Sequence, residues 1–222
     1  MVQNVVQDSV VNAQSEIDAL KNIRTFSLLS IFGFAIDAVV GIFALLTLSK
    51  LLSSFLTPST ASTAAYNNLG TELMLGGLGI TSAILMLASL VFLRRGYRVL
   101  KGISGEFASP YNGVNMIFIG LIIIVIGSIA LVPVAIFLAS PLALAFGIAA
   151  VLIVGSILSF IGEILALIVG PFRLETHFNK STFRTAGILL IVGIFVPFVS
   201  IAGVVLIYAG ANSLLKSKPA IL

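Results

Sequence analysis

Two carboxylic acids, Asp37 and Glu163, stand within long apolar stretches of the chain. A charge inside a lipid bilayer is costly, so an acid in such a position is a candidate for ion or proton binding. The alternative is structural: a protonated acid that donates a hydrogen bond to a serine, a tyrosine or a backbone carbonyl of a neighbouring helix. The residue types alone leave both interpretations open.

Each acid shares one face of its helix with small residues at a spacing of three or four. The residues aligned with Asp37 are Ser30, Gly33 and Gly41, and those aligned with Glu163 are Ser156, Ser159, Ala166 and Gly170. Small residues allow a second helix to approach closely, so both acids are expected to face a helical bundle rather than lipid. We expect Glu163 to lie roughly 10 Å nearer the cytoplasm than Asp37, too far away for a carboxylate dyad.

The elements that must position these acids are membrane-spanning helices. The chain has 222 residues, of which 59% are hydrophobic and only 9% are charged. Soluble domains are about one quarter charged, so the composition excludes that class. The absence of cysteine excludes a disulfide framework, a thiolate metal site and a cysteine nucleophile.

Five apolar runs are long enough to cross about 30 Å of hydrocarbon. They cover residues 26–48, 73–93, 114–137, 142–170 and 187–211. The predicted fold class is therefore all-α, a polytopic transmembrane helical bundle of about five spans. The last run contains Pro197, and a kink within one span is favoured there over a re-entrant segment broken at the proline.

The predicted organisation has three parts: an amphipathic cytoplasmic segment at residues 1–25, a transmembrane domain at 26–211 and a C-terminal tail at 212–222. The first segment carries apolar residues at helical spacing, which is typical of a helix on the membrane surface. A partner-binding helix is the alternative for it.

The distribution of basic residues predicts the orientation in the cell membrane. With the N-terminus in the cytoplasm, nine basic residues lie inside and three outside. The inner set is Lys21, Arg24, Arg94, Arg95, Arg98, Lys101, Arg173, Lys180 and Arg184; the outer set is Lys50, Lys216 and Lys218. Because the cations cluster at span ends, they do not indicate nucleic-acid binding. The sequence does not establish the side of the C-terminus, since Lys216 and Lys218 oppose the bias.

No pattern in the chain favours an enzyme, a cofactor or a metal. His177 is the single histidine, and one imidazole cannot supply both axial ligands of a b-type haem. It is predicted to be a solvated loop residue. The chain has no HExxH pattern for zinc and no glycine-rich phosphate loop.

Several motifs in their order along the chain carry a family resemblance. They are EIDALK at 16–21, RRGYRVL at 94–100, GVNMIFIGLI at 113–122, PFVSIAG at 197–203 and YAG at 208–210. This order resembles the domain-of-unknown-function 973 family of archaeal multi-pass membrane proteins. The resemblance implies a helical membrane protein and brings no established activity and no catalytic residues.

Two functions remain open. Small-residue stripes on several helices favour a structural or accessory protein that acts through helix–helix association, as a homo-oligomer or as a subunit of a membrane complex. The alternative is a small transporter or channel that uses Asp37 and Glu163.

Overall fold

The computed structural model describes residues 2–56, 64–138 and 141–217, and the described residues form helices without any strand. The α-helices are α1 (Val2–Leu56), α2 (Ala64–Ile103), α3 (Ala108–Leu138), α4 (Pro141–Glu163), α5 (Gly170–Phe178), α6 (Ser181–Gly193) and α7 (Pro197–Ser217). A π-helical turn, Ile164–Val169, joins α4 to α5 without a break, and a 3-10 turn, Gly105–Phe107, precedes α3. The predicted all-α class is confirmed.

Five described segments are long and apolar enough to cross a membrane. They are Val11–Phe43, Gly77–Ile103, Gly105–Gly127, Phe146–Phe178 and Pro197–Ser217. The number of such segments agrees with the predicted five, although the last one begins at Pro197 and not at residue 187. Helix α4 begins at Pro141, in agreement with the preference of proline for the first helical position. Residues 57–63, between the first two apolar runs, and residues 139–140, between the third and fourth, lie outside the described residues.

The prediction of one kinked span at 187–211 is wrong. The chain leaves α6 at Gly193 and turns back at Pro197, so α6 and α7 form an antiparallel pair. The pairing is visible from the tip to the base: Gly193 contacts Ser200, Gly203 contacts Leu190, and Gly210 contacts Phe183. Pro197 has no N–H to continue the hydrogen-bond ladder of α6, so the helix ends before it, and the packing of α7 against α6 holds the chain in the reversed direction.

Three antiparallel hairpins make up the bundle, namely α1 with α2, α3 with α4, and α6 with α7. Glycines bring α3 and α4 into backbone contact, since Gly113 faces the carbonyl of Gly162 and Gly120 faces that of Gly155. Asn179, in a left-handed conformation with φ of 50°, turns the chain from α5 into α6. Helix α7 packs against α1 and joins the third hairpin to the first.

The best-packed core lies at the basic end of the bundle. On α2 the side chains of Leu93, Tyr97 and Leu100 are almost fully buried, with at most 2% exposed. The basic residues between them are exposed. Gly96 allows α1 to approach, since a Cβ there would lie 2.9 Å from Ile23 Cγ1. The motif at 94–100 therefore combines a packed inner stripe with a charged outer one.

The N-terminal segment is helical, as predicted, but it is not a separate element. Helix α1 continues from Val2 through the first span, and no glycine or proline precedes Gly33 to interrupt it. Ala19, Leu20 and Ile23 are completely buried. Part of the apolar stripe that the sequence assigns to the membrane surface thus packs against the rest of the chain.

Interhelical contacts place the C-terminal end of α7 at the basic end. Lys180 Nζ donates to Ser213 Oγ over 3.2 Å, so the base of α6 lies beside the last turns of α7. Lys216 therefore lies at the same end as Arg94 and Arg173, and not at the opposite end as the nine-to-three count assumes. The cause is again the reversal at Pro197.

Candidate intramembrane polar site

A cavity of about 430 Å³ lies at the centre of the bundle. Helices of all three hairpins line it, and most of its wall is apolar. Its polar lining residues are Ser30, Ser89, Ser159, Glu163 and Ser200. We call it the central cavity.

Glu163 is the only acid among the described residues that line the central cavity. Glu163 is an exposed residue, and its side chain makes no hydrogen bond or ion pair with any described residue. Of the residues predicted to share its face, Ser159, Ala166 and Gly170 lie on the packed side, whereas Ser156 is exposed. The helix thus presents an unpartnered carboxyl group to a cavity within the membrane.

A π-helical turn begins immediately after Glu163. In that register the carbonyl of Ala166 would pair with the N–H of residue 171, but Pro171 has none. The hydroxyl of Tyr97 donates to this carbonyl over 2.9 Å and replaces the missing partner. Gly170 makes room for the ring, since a Cβ there would overlap the Tyr97 hydroxyl. Tyr97 therefore fixes the turn that follows Glu163.

Ser159 lies one turn before Glu163, and its Oγ is buried without a hydrogen-bond partner in the described structure. The oxygen lies against the Cα of Gly120, at the α3–α4 contact. This hydroxyl is therefore enclosed at the helix contact beside the cavity.

Asp37 has a different environment. Ser82 Oγ on α2 lies 2.5 Å from Asp37 Oδ1 and 3.4 Å from the carbonyl oxygen of Gly33. The Ser82 hydroxyl donates to Asp37 Oδ1, and the carbonyl oxygen of Gly33 is a second acceptor within its reach. This is the geometry that the structural interpretation of Asp37 requires.

Asp37 also lines a second space of about 590 Å³ between α1 and the tip of the α6–α7 hairpin. We call this space the tip groove. It shares Phe34, Gly193 and Ser200 with the central cavity, so the two spaces adjoin. The two acids belong to neighbouring cavities.

The tip of the α6–α7 hairpin forms part of the wall of both spaces. The N–H groups of Ile194, Phe195 and Val196 bond to the carbonyls of Ile191 and Val192, which tightens the end of α6. Helix α6 has 13 residues and is roughly 20 Å long, too short to cross the hydrocarbon from its base. Irregular backbone at membrane depth is tolerated where it lines a cavity, and that is where this tip lies.

His177 is not the solvated loop residue that the sequence predicts. It lies in the last turn of α5, with a side chain that is 18% exposed. Its Nε2 is 3.1 Å from Glu16 Oε1, and its ring makes edge contacts with Phe107 and Phe178. The prediction failed because α5 continues to Phe178 and α1 begins early enough to cover it.

Sequence reasoning found both acids but missed their neighbours. Ser82 is one serine among many, and only the pairing of α1 with α2 selects it. A signal for the π-helical turn was available in Gly170 and Pro171, since a proline inside a span frees a carbonyl. Among the described residues, no group of three metal-ligating side chains occurs.

Fold and site together define a multi-pass helical membrane protein with a mostly apolar cavity inside the bundle, into which one acid projects. A family model described as "Protein of unknown function (DUF973)" matches residues 16–220, so the chain belongs to this family. Searches among curated proteins and solved structures found no match.

Proposed function

We propose that this protein binds a proton or a monovalent cation in the central cavity and moves it across the membrane, with Glu163 as the binding group. The observation that carries the proposal is the unpartnered Glu163 carboxyl at a cavity walled by all three hairpins. An ionised carboxylate in this environment requires compensation, which a bound proton or cation provides.

The surroundings of Glu163 suit reversible binding. The serine hydroxyls of the cavity wall can contribute oxygen ligands without adding charge. The absence of a fixed counter-charge beside Glu163 leaves the carboxylate available to an incoming cation. A site that already contained an ion pair would bind a cation less readily.

An ion that leaves the central cavity could pass into the adjoining tip groove. Both spaces meet at Gly193 and Ser200, where the hairpin ends bring polar backbone groups to membrane depth. Helices broken at membrane depth often provide ion sites in transporters, which supports a passage at this tip.

The case for helix–helix association is weaker in the folded chain than in the sequence. Small residues on α3, α4, α6 and α7 are in contact within the same chain, through Gly120, Gly155 and Gly203 among others. Among the described glycines of α2, Gly77 and Gly79 have open space beside them. Association remains a prediction, and the unpartnered Glu163 carboxyl in the central cavity favours transport.

Ion flux in liposomes that contain the purified protein tests the proposal. The probes are protons, Na⁺ and K⁺, each applied as a gradient across the membrane. Glu163→Gln removes the charge while retaining a similar shape, and we expect it to reduce the flux about tenfold or more. The matched control, Asp37→Asn, should change it by less than about twofold because the hydrogen bond to Ser82 is preserved.

Two results would overturn the proposal. One is wild-type flux no greater than that of empty liposomes for all three ions. The other is unchanged flux in Glu163→Gln when the melting temperature shows that the variant is folded.

The proposal includes an orientation in which the basic end of the bundle faces the cytoplasm. The connection between α2 and α3 and the C-terminal end of α7 then lie on the cytoplasmic side. Single cysteines at Ser104 and Ser217 should be protected from an impermeant thiol reagent in intact cells and should react after lysis. A cysteine at Ser59, between α1 and α2, should react from outside. Reaction of the Ser104 cysteine in intact cells would reverse the orientation.

A further inference from the structure

Three cations converge at the junction of α2 and α3. Arg94, Arg98 and Lys101 occur at a spacing of four and three, so they share one face of the last turns of α2. Tyr111 and Asn115, in the first two turns of α3, lie opposite. We call these five residues the cationic cleft.

Direct contacts hold the cleft together. Arg94 Nε donates to Asn115 Oδ1 over 2.7 Å. The guanidinium carbon of Arg94 is 6.0 Å from the centre of the Tyr111 ring, and Lys101 Nζ is 4.8 Å from it. The three basic side chains are exposed, while Tyr111 and Asn115 are half-buried. The ring and the amide therefore form the floor, and the cations form the rim.

The cleft lacks a counter-charge. None of its three cations forms an ion pair with a carboxylate in the described part of the chain, and the nearby acid Glu106 does not reach them. The C-terminus of α2 and the N-terminus of α3 meet at this junction, so their opposite dipole ends offset each other and the side chains determine the charge. Three neighbouring positive charges repel one another, so a bound anion would relieve a real electrostatic cost.

We infer that the cationic cleft binds the phosphate group of an anionic lipid headgroup. The cleft lies beside the junction where the second candidate span ends and the third begins, and the ends of spans adjoin the lipid headgroups. Arginine and lysine together suit phosphate oxygens, and a basic pocket between transmembrane helices is suited to lipid phosphate. Arg95, in the same stretch, lies over Phe92 at 5.9 Å instead and is not part of the cleft.

Lipid binding to the purified full-length protein tests this inference. Affinity is measured by titration with phosphatidylglycerol, with phosphatidylcholine as the neutral reference. Arg98→Gln and Lys101→Gln should each weaken phosphatidylglycerol binding about fivefold. Arg95→Gln removes the same charge outside the cleft and should weaken it less than about twofold. Melting temperatures of the variants verify that they are folded.

A competition experiment identifies the source of the phosphate. Failure of millimolar inorganic phosphate to displace phosphatidylglycerol supports the lipid headgroup as the ligand. Displacement would show that the cleft binds soluble phosphate and would overturn the assignment to lipid. Equal losses in Arg95→Gln and Arg98→Gln would overturn the site itself, because net charge and not the cleft would then determine affinity.

Discussion

Asp37 and Glu163 are both carboxyl groups in apolar helices, but the structure surrounds them differently. At Asp37, a serine of the neighbouring helix lies 2.5 Å away and a carbonyl completes a short hydrogen-bond chain. At Glu163, no described residue forms such a contact, and the side chain faces the central cavity. One acid is part of the helix packing and the other is available to a ligand.

The difference shows that depth in the membrane does not by itself determine the role of a polar residue. What matters is whether the opposing helix offers a partner at the same level. Helix α2 offers Ser82 to Asp37. Across from Glu163, the helices are separated by the cavity, and the serines on its wall do not reach the carboxyl.

The largest effect is expected at the α3–α4 contact, on the helix that carries Glu163. Gly120→Ala would place a Cβ 2.5 Å from the carbonyl oxygen of Gly155, a backbone atom that cannot rotate away. We expect a loss of about 3 kcal/mol in unfolding free energy, measured by denaturant titration in detergent.

The matched variant is Gly41→Ala, beside the tip groove, where nothing lies within 4 Å of the added carbon. It should be neutral or should stabilise α1 by up to about 1 kcal/mol. Equal effects of Gly41→Ala and Gly120→Ala would mean that the two regions do not differ in packing.

A smaller effect is expected from the hydrogen bond at Asp37. A double-mutant cycle of Asp37→Leu and Ser82→Ala should give a coupling of about 1 kcal/mol, which is typical of interhelical hydrogen bonds in membranes. Glu163→Leu should be neutral or stabilising, because no partner is lost. A cost for Glu163→Leu as large as that for Asp37→Leu would remove the contrast between the two acids.

Hydropathy predicts the helical class and the number of apolar spans because both depend on local composition. It does not predict the reversal at Pro197, since a kink and a hairpin have the same hydropathy. The choice depends on whether other helices can cover the exposed backbone of a turn, and that is a property of the assembled bundle. Gly203 packs against Leu190 and Gly210 packs against Phe183. Because neither glycine has a side chain, α6 and α7 can approach closely enough to form the hairpin.

The sequence predicts which acids belong to the candidate site but not which residues lie beside them. An acid in an apolar run is visible in any sequence, so both candidates could be named. Their partners could not, because Ser82 is separated from Asp37 by 45 positions and becomes a neighbour through the α1–α2 pairing. The partly buried contact of His177 with Glu16 joins residues 161 positions apart, so local sequence patterns cannot predict it either.

The α6–α7 hairpin has a consequence for biogenesis. Because the chain returns to the end from which α6 starts, insertion of the hairpin requires no transfer of Lys216 to the opposite end of the bundle. Helix α6 is too short to cross the hydrocarbon on its own. We therefore expect α6 and α7 to insert together as one unit, against the helices that line the cavity with them.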